Sequence, residues 1–516
     1  MNGSTQPDPT RGSPGILRKP GLRKAAFILF ALVTAIALFY AEENWRGRRA
    51  WKHRAEELSR QGERLDWFAL VPAPVPNDQN FAATPFFAPL FDFVPNRKPG
   101  QRPWRDPDAF DRTMAFAKGL PDPRDKGSWQ TAQKLDLAAW QRTSLTGKAS
   151  VTNSLAGETS TNRAEAAKWI MTRLAEYDPL LAEIRNASTR PYARFSVRYD
   201  EPNPMSILLP HLSVLRNVCQ ILQVRAAAEL ELGRTAEALD DALLVLTISD
   251  SLKTEPLLVS YLVRLANAGT GIQIIWEGMV DGRWSATQVE QIKARLAKYD
   301  FISDVGYPLQ AERAGCLRFI SYIQNVPNPG DEVAGLVKDI PLFCIRLIPS
   351  GWFDFEKVNY VNLYQQFVSN VSEESFRPRG AMLRQAKAAD SLVYSPSALF
   401  WRHSLFSSLL LPALGKMHLK TAEAQNGVHL AFTASSLEQY KQRHGHYPES
   451  LVEVAEKEKL ANDVITGELL KYRRDGADRF VLYSVGSDEH DDNGTVPKHA
   501  GAAERNDWVW TWPAKN

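Results

Sequence analysis

The residues of this chain best suited to chemistry are acids near its C-terminus. Asp488, Glu489, Asp491, Asp492 and Asn493 precede Gly494, and Asp507 follows. Carboxylate and amide oxygens clustered on a loop are hard ligands that suit Ca²⁺. The EF-hand template fails, because no Glu falls at its twelfth position and no helix follows. On a solvated acidic turn the same residues need no ion, so both readings stay open here. His444 and His446 straddle Gly445, and His490 lies in the acidic loop. An imidazole pair can hold a transition metal. Gly445, however, is a helix-stop residue, and a structural role is expected. His53, His211, His403, His418, His429 and His499 are isolated. The sequence has no HExxH, no GxSxG and no phosphate-binding GxxxxGK[ST]. Cys219, Cys316 and Cys344 form no CxxC pair, which points to neither a disulfide framework nor zinc. Cys219 and Cys344 read as small core residues. Asp240-Asp241 and Glu373-Glu374 are sequence neighbours that diverge by about 100° on a helix, so neither makes an acid/base dyad. The expectation is a chain with no catalytic residues.

The elements carrying these residues belong to a mostly water-soluble chain. It has 516 residues, of which 44% are hydrophobic and 23% charged. Its mean hydropathy is −0.31. Basic and acidic residues number 62 and 59, a net +3, so no global field points to nucleic acid. One stretch departs from the average. Ala25 to Ala41, AAFILFALVTAIALFYA, carries no charge and spans about 25 Å as a helix, enough for a short membrane crossing. Tyr40 and Trp45 stand where an interfacial aromatic belt would be. Cleavage wants small residues where Phe39 and Tyr40 stand, so an uncleaved signal-anchor is expected. Basic residues flank both ends almost equally. A short tail before a single anchor favours the inside, placing residues 42–516 outside the bacterial cytoplasmic membrane. The run from Pro256 to Trp276 is long enough to span, but Arg264, Asn267 and Gln273 interrupt it, and a buried soluble helix is expected.

Five regions follow: a cytoplasmic tail at 1–24, the anchor at 25–41, a juxtamembrane region at 42–160, a helical domain at 161–400 and a C-terminal module at 401–516. Glu42 to about Leu65 reads as a charged helix. Val71 to Pro107 is dense in proline and aromatics, an extended segment expected to pack along a surface. Residues 143–162 read as an exposed loop. Helices dominate from Arg163 to Gln324, with Asp178 as a cap before Pro179, and Ser285 with Gln288 as a capping box. LELGRTAEALDDALLVL looks like one tetratricopeptide-type hairpin without a second copy, so an irregular helical-hairpin domain is expected. In the C-terminal module a long helix ends at Gly445. A hairpin turns at Asp475-Gly476, and Trp508, Trp510 and Trp512 alternate in a last strand.

The order long helix, Tyr447-Pro448, Asp463, Thr466-Gly467, Tyr472-Arg473, then Leu482-Tyr483-Ser484, Gly486 and Asp488 resembles the soluble domain of type II secretion major pseudopilins. That resemblance covers about 110 residues. It implies a long helix on a small antiparallel sheet and a calcium-binding loop. Asp488 and Asp507 are then the leading ligand candidates, with Asp491 or Asp492 completing the set. The chain departs from that family in having no acid within its anchor and no prepilin-peptidase site. It therefore cannot be processed as a pseudopilin subunit. Over its whole length, from EENWRGRRAW to DWVWTWP, it is similar to a group of bacterial single-anchor proteins without an assigned activity.

These features together predict a mainly α protein with a transmembrane helix, a helical-hairpin domain and an α+β pseudopilin-like module. The expected role is a single-pass, non-catalytic scaffold whose partners are envelope-assembly or secretion-apparatus proteins, with calcium as its cofactor. The alternative is an extracytoplasmic hydrolase, glycan-directed, with the aromatics of 81–104 and Trp508 to Trp512 lining its cleft.

Overall fold

The computed structural model describes residues 20–94, 102–118, 127–146, 160, 162–327, 347–368, 412–496 and 507–513. Most of residues 1–24, most of residues 143–162, Cys344, Glu373-Glu374, His403 and His499 lie outside the described residues. Helix accounts for 64% and strand for 6%, so the chain is mainly α with one small sheet.

The first helix, α1 (Pro20–Arg60), is 41 residues long, about 60 Å. The apolar run and the charged stretch after it are one unbroken rod. Between them stands no proline, and the single Gly47 is tolerated within a helix. Three helices among the described residues are long and apolar enough to cross a membrane. They differ in what covers them. The most apolar stretch of Arg23–Arg60 is 0% buried, against 44% for Pro204–Glu231 and 67% for Leu258–Val280.

After α1 the chain makes 3₁₀ turns through the proline-rich segment. Phe81 and Phe87 are buried in a ring cluster with Phe195, with Phe81 and Phe87 centroids 5.9 Å apart. The segment therefore packs along the body, as its aromatic content predicts. Asn80 fixes it, its Nδ2 donating to the Arg194 carbonyl at 2.8 Å and its Oδ1 accepting the Arg194 N–H at 2.8 Å.

The body then builds from α2 (Pro107–Lys118), α3 (Leu137–Thr146), α4 (Arg163–Leu174), α5 (Asp178–Ser188), α6 (Pro210–Glu231), α7 (Thr235–Asp250), α8 (Leu258–Val280), α9 (Ala286–Leu296), α10 (Phe301–Asp304) and α11 (Gly306–Asn325). Asp178 is the first residue of α5 rather than its cap, one position from the expectation. Ser285 and Gln288 form the capping box, with Gln288 N–H to Ser285 Oγ at 3.3 Å and Ser285 N–H to Gln288 Oε1 at 3.0 Å. Two further long helices follow, α12 (Ser350–Val368) and α13 (Pro412–His444).

Helix α8 is the axis of the body, contacted by α6, α7, α11, α13 and the turn at Trp129–Thr131. The polar residues that interrupt its apolar run point inward. Arg264 is 1% exposed; its Nη2 donates to Asp304 Oδ2 at 2.8 Å and Asp250 Oδ1 at 3.1 Å, and its guanidinium lies 4.9 Å from the Phe301 ring centroid. Gln273 Nε2 donates to Glu277 Oε1 at 2.9 Å, and the same Glu277 oxygen accepts the Leu135 N–H at 3.0 Å. These bonds stitch the loop before α3 to the axis. Burial pushes the Glu277 carboxyl up, and bonds from Gln273 and Leu135 oppose it.

The sheet follows α13, with β1 (Lys471–Asp475), β2 (Arg479–Ser484) and β3 (Trp508–Trp510) antiparallel in that order. Register pairs Tyr472 with Leu482, and Leu482 with Trp510. Helix α13 packs on β2 and β3. Trp276 Nε1 of α8 donates to the Thr511 carbonyl at 2.9 Å, and the Trp129 and Trp510 rings lie 5.8 Å apart. One hydrophobic cluster accordingly runs from Leu58 to Trp510 without a break between helical body and sheet.

Replacing Arg264 with Met takes one cation from Asp304 and Asp250, which keep Lys253 at 3.0 Å and Arg295 at 2.7 Å. Losing one charged partner while another remains costs about 1–3 kcal/mol. Urea unfolding of Arg264→Met is expected to show a loss of that size at unchanged m-value.

Candidate functional site

Two regions carry candidate function: the acidic loop and the exit of α1 from its apolar half. The loop turns sharply, and Glu489, Asn493 and Gly494 all have positive φ, of 65°, 57° and 68°. Short polar side chains hold these turns. Asp488 Oδ1 accepts the His490 N–H at 3.2 Å, and Asp491 Oδ1 accepts the Asn493 N–H at 2.9 Å and the Tyr483 hydroxyl at 3.1 Å. Asp507 is fully buried beneath the loop. Its Oδ2 accepts the Gly494 N–H at 2.7 Å, while its Oδ1 is buried with no hydrogen-bond partner. A Cβ at Gly494 would stand 2.7 Å from Val481 and 2.8 Å from Tyr483, so only glycine brings this backbone N–H to the carboxylate.

Burial pushes the Asp507 carboxyl up to about 6. The Asp491 and Asp492 charges add to the shift, and backbone N–H groups of Gly494 and Asp492 oppose it. A cation placed among these acids would take up the orphaned Oδ1 and relieve the repulsion. The four expected ligands do lie on one loop and one strand entry. As placed, however, no group of three or more His, Cys, Asp or Glu side chains among the described residues converges on a metal position. The donor chemistry suits calcium, whose shell backbone carbonyls and water would have to complete around these carboxylates.

The histidines have other occupations. His444 Nδ1 bonds the Tyr440 carbonyl at 2.8 Å and His446 Nδ1 the Tyr447 carbonyl at 2.9 Å, each engaged by its own local backbone. His211, isolated in sequence, is buried; its Nε2 lies 2.7 Å from Glu255 Oε1, and Ser260 Oγ donates to Glu255 Oε2 at 2.5 Å. Both His and Ser face the carboxylate rather than each other, so this is no nucleophile and base. Burial pushes the thiols of Cys219 and Cys316 up, leaving them as inert core groups.

The aromatics proposed for a glycan cleft are largely in the core: Trp508 and Trp510 are buried, as are Phe81 and Phe87. A cleft of about 520 Å³ lies between α6, α8 and α13, and its lining includes one carboxylate, Glu423. Glycoside hydrolysis ordinarily uses two.

The second region was not legible as a site in the sequence. Just past the apolar run, α1 crosses α12 backbone to backbone. A Cβ on Gly47 would sit 2.0 Å from the Gly351 carbonyl oxygen, and one on Gly351 would sit 2.2 Å from the Glu43 carbonyl oxygen. Polar bonds line the crossing. The Gly351 N–H donates to Asn44 Oδ1 at 2.7 Å, Trp352 Nε1 to Glu43 Oε2 at 2.9 Å, and the Tyr40 hydroxyl to the Leu347 carbonyl at 2.5 Å. Beyond the end of α1 a buried charge closes the seam. Arg313 of α11, fully buried, donates through Nη2 to Glu63 Oε2 at 2.7 Å and through Nη1 to Gln365 Oε1 of α12 at 2.7 Å. Gln365 Nε2 completes the ring on Glu63 Oε1 at 2.6 Å. Burial pushes the Glu63 carboxyl up, but the bonds from Gln365 and Arg313 outweigh it and hold it below the ordinary carboxylate range.

No protein-family model, curated protein or solved structure matches the chain.

The Asp507 shift has a sign. A carboxyl raised from about 4 to about 6 on folding binds protons more tightly in the folded state. Its contribution is therefore favourable below about pH 4 and is lost as pH rises to about 6. Melting in chelator across pH 4–7 is expected to show this fall, and Asp507→Asn, which keeps an acceptor for Gly494, is expected to flatten it. At pH 7, millimolar calcium is expected to raise the wild-type melting temperature and not that of Asp507→Asn. Superposable curves with and without calcium would remove the ion from the loop.

Proposed function

We propose that the chain is a membrane-anchored scaffold, held in the bacterial cytoplasmic membrane by the apolar half of α1. Its body stands outside that membrane, presenting helical surfaces to envelope-assembly or secretion-apparatus proteins. The observation that carries this reading is the change of surroundings along one rigid helix. From Phe27 to Phe39 the large apolar side chains of α1 are exposed, whereas Gly47 and Leu58 are buried against the body. Exposed apolar surface of that extent on an isolated rod requires a nonaqueous partner. The seam at Gly47 and Gly351 begins within one or two helical turns of Ala41, so the body stands close against the bilayer surface. With no flexible linker at this point, its orientation is set by the anchor. Trp45, 60% exposed with the Arg49 guanidinium 5.4 Å from its ring, suits the headgroup layer.

The compartment is tested by labelling. Ser450 is exposed and Cys219 and Cys316 are buried, so a Ser450→Cys, Cys344→Ser variant offers one reactive thiol. A membrane-impermeant maleimide is expected to label it in intact spheroplasts. Labelling only after permeabilisation would place the body in the cytoplasm and overturn this half of the reading. Cross-linking in native membranes followed by recovery of the chain alone would count against the scaffold role.

The seam has its own expected outcome. Gly351→Val forces backbones apart where no space exists, costing about 1–3 kcal/mol. The full chain in detergent is expected to melt lower, and protease to gain access near residue 47 before the body unfolds. Unchanged melting and digestion would mean that the crossing does not fix the body.

A further inference from the structure

Among the described residues outside α1, Leu347 is the most exposed large apolar side chain, at 63%. It stands just before α12, and two contacts fix its height along α1. The Gly351 N–H donates to Asn44 Oδ1 at 2.7 Å, and four residues earlier the Leu347 carbonyl accepts the Tyr40 hydroxyl at 2.5 Å. From Gly351 back to Leu347 the chain thus descends beside α1, from Asn44 to Tyr40, and Tyr40 belongs to the apolar run Ala25 to Ala41. Side chains of a helix lean toward its N-terminus, here the membrane side, so the Tyr40 hydroxyl stands no higher than its own backbone. Leu347 is therefore at the depth where the bilayer of the anchor reading begins. An exposed leucine elsewhere on the body needs no explanation, but this one is uncovered where lipid would meet it. The polar groups around it are met within the chain. Besides the bonds of Tyr40 and Asn44, Trp352 Nε1 donates to Glu43 Oε2 at 2.9 Å, and Arg46 Nη1 neutralises Glu43 at 2.8 Å from Oε1. Backbone and polar groups at the edge of a bilayer need such internal partners, because water is scarce there. Ile348 packs against the core and holds its neighbour in place.

We infer that the entry to α12 is a second membrane contact of this protein, with the Leu347 side chain set among lipid acyl chains beside α1. The inference rests on the anchor reading of α1 and goes beyond it. The partner is the bilayer itself, met by an apolar side chain at the boundary between headgroups and acyl chains. A foothold off the axis of α1 restrains tilting of the body, which a single span would leave to the bilayer.

The test uses the full chain in nanodiscs of phosphatidylcholine and phosphatidylglycerol, with a nitroxide on Leu347→Cys, Val33→Cys or Ser450→Cys, each combined with Cys344→Ser. Cys219 and Cys316 are buried and stay unlabelled. All three labelled side chains are exposed, so the substitutions leave the core intact. Power saturation compares access of oxygen, which concentrates in the bilayer, with access of a water-soluble nickel chelate. The oxygen-to-nickel ratio at Leu347 is expected to be several-fold above that at Ser450 and below that at Val33. A ratio at Leu347 equal to that at Ser450, with Val33 still shielded, would overturn this inference and leave the anchor standing. Nickel access at Val33 as well would overturn both. The thiol without its label gives a second measurement, since only the hydrated thiolate reacts. Alkylation of Leu347→Cys by an impermeant maleimide in the same nanodiscs is expected to be several-fold slower than that of Ser450→Cys, and equal rates would overturn the contact.

Discussion

The body depends on one constraint: a charged and amide-bearing helix has to run through its centre. Helix α8 is apolar enough to enter a membrane by composition, yet it carries Arg264, Asn267, Gln273 and Glu277 along its length. The charged groups among these have to be met by a partner once buried, because an unpaired charge in the interior costs several kcal/mol. The partners come from everywhere else. Asp250 ends α7, Asp304 ends α10, and Leu135 leads into α3. Satisfying the axis therefore fixes where the neighbouring elements end and turn, and the same bonds that neutralise α8 set the positions around it. Trp276 extends the effect to the sheet, since its indole N–H finds its acceptor at Thr511, beyond the last strand.

The seam at α1 works by the opposite means. At the crossing of Gly47 and Gly351 the absence of side chains does what charge does at α8. Two helices approach until backbone meets backbone, and the polar groups of Asn44, Glu43 and Tyr40 find partners on the chain they touch. The Arg313–Glu63–Gln365 ring locks the far end of the same contact. A contact closed at both ends leaves the exposed rod few ways to move against the body. In the proposed scaffold, that makes the anchor an orienting device as well as a tether.

Much of the layout was legible in the sequence because it is local. The capping box at Ser285, the stop at Gly445, the Asp475-Gly476 hairpin and the alternating tryptophans are short-range patterns with short-range causes. The burial of α8 within the body was readable for the same reason, since Arg264 sits mid-run. What could not be read is what depends on distant pairs. Gly47 and Gly351 are ordinary glycines until they meet across some three hundred residues. Nothing near His211 announces Glu255, and Asn426 gives no hint that its amide will join Asp463 and Ser484 in one buried group. The acidic loop lies between these cases. Its composition showed hard oxygen donors, while their convergence, which decides whether an ion is held, is a property of the fold.

The polar residues of α8 also separate two kinds of departure from an apolar core. Gln273 and Glu277 break the pattern and are bonded to each other and to the backbone of Trp129 and Leu135, whereas Arg264 is met at Nη2 by Asp250 and Asp304 and leaves its buried Nε and Nη1 without a hydrogen-bond partner. Asn267 breaks it in the same helix, one to three turns away, and its amide nitrogen finds no partner. Folding alone gains nothing from that donor, because leucine there would bury similar area without the penalty. Arg264 and Asn267, one turn apart, thus leave buried donors unmet where Gln273 and Glu277, further along the same helix, bond each other.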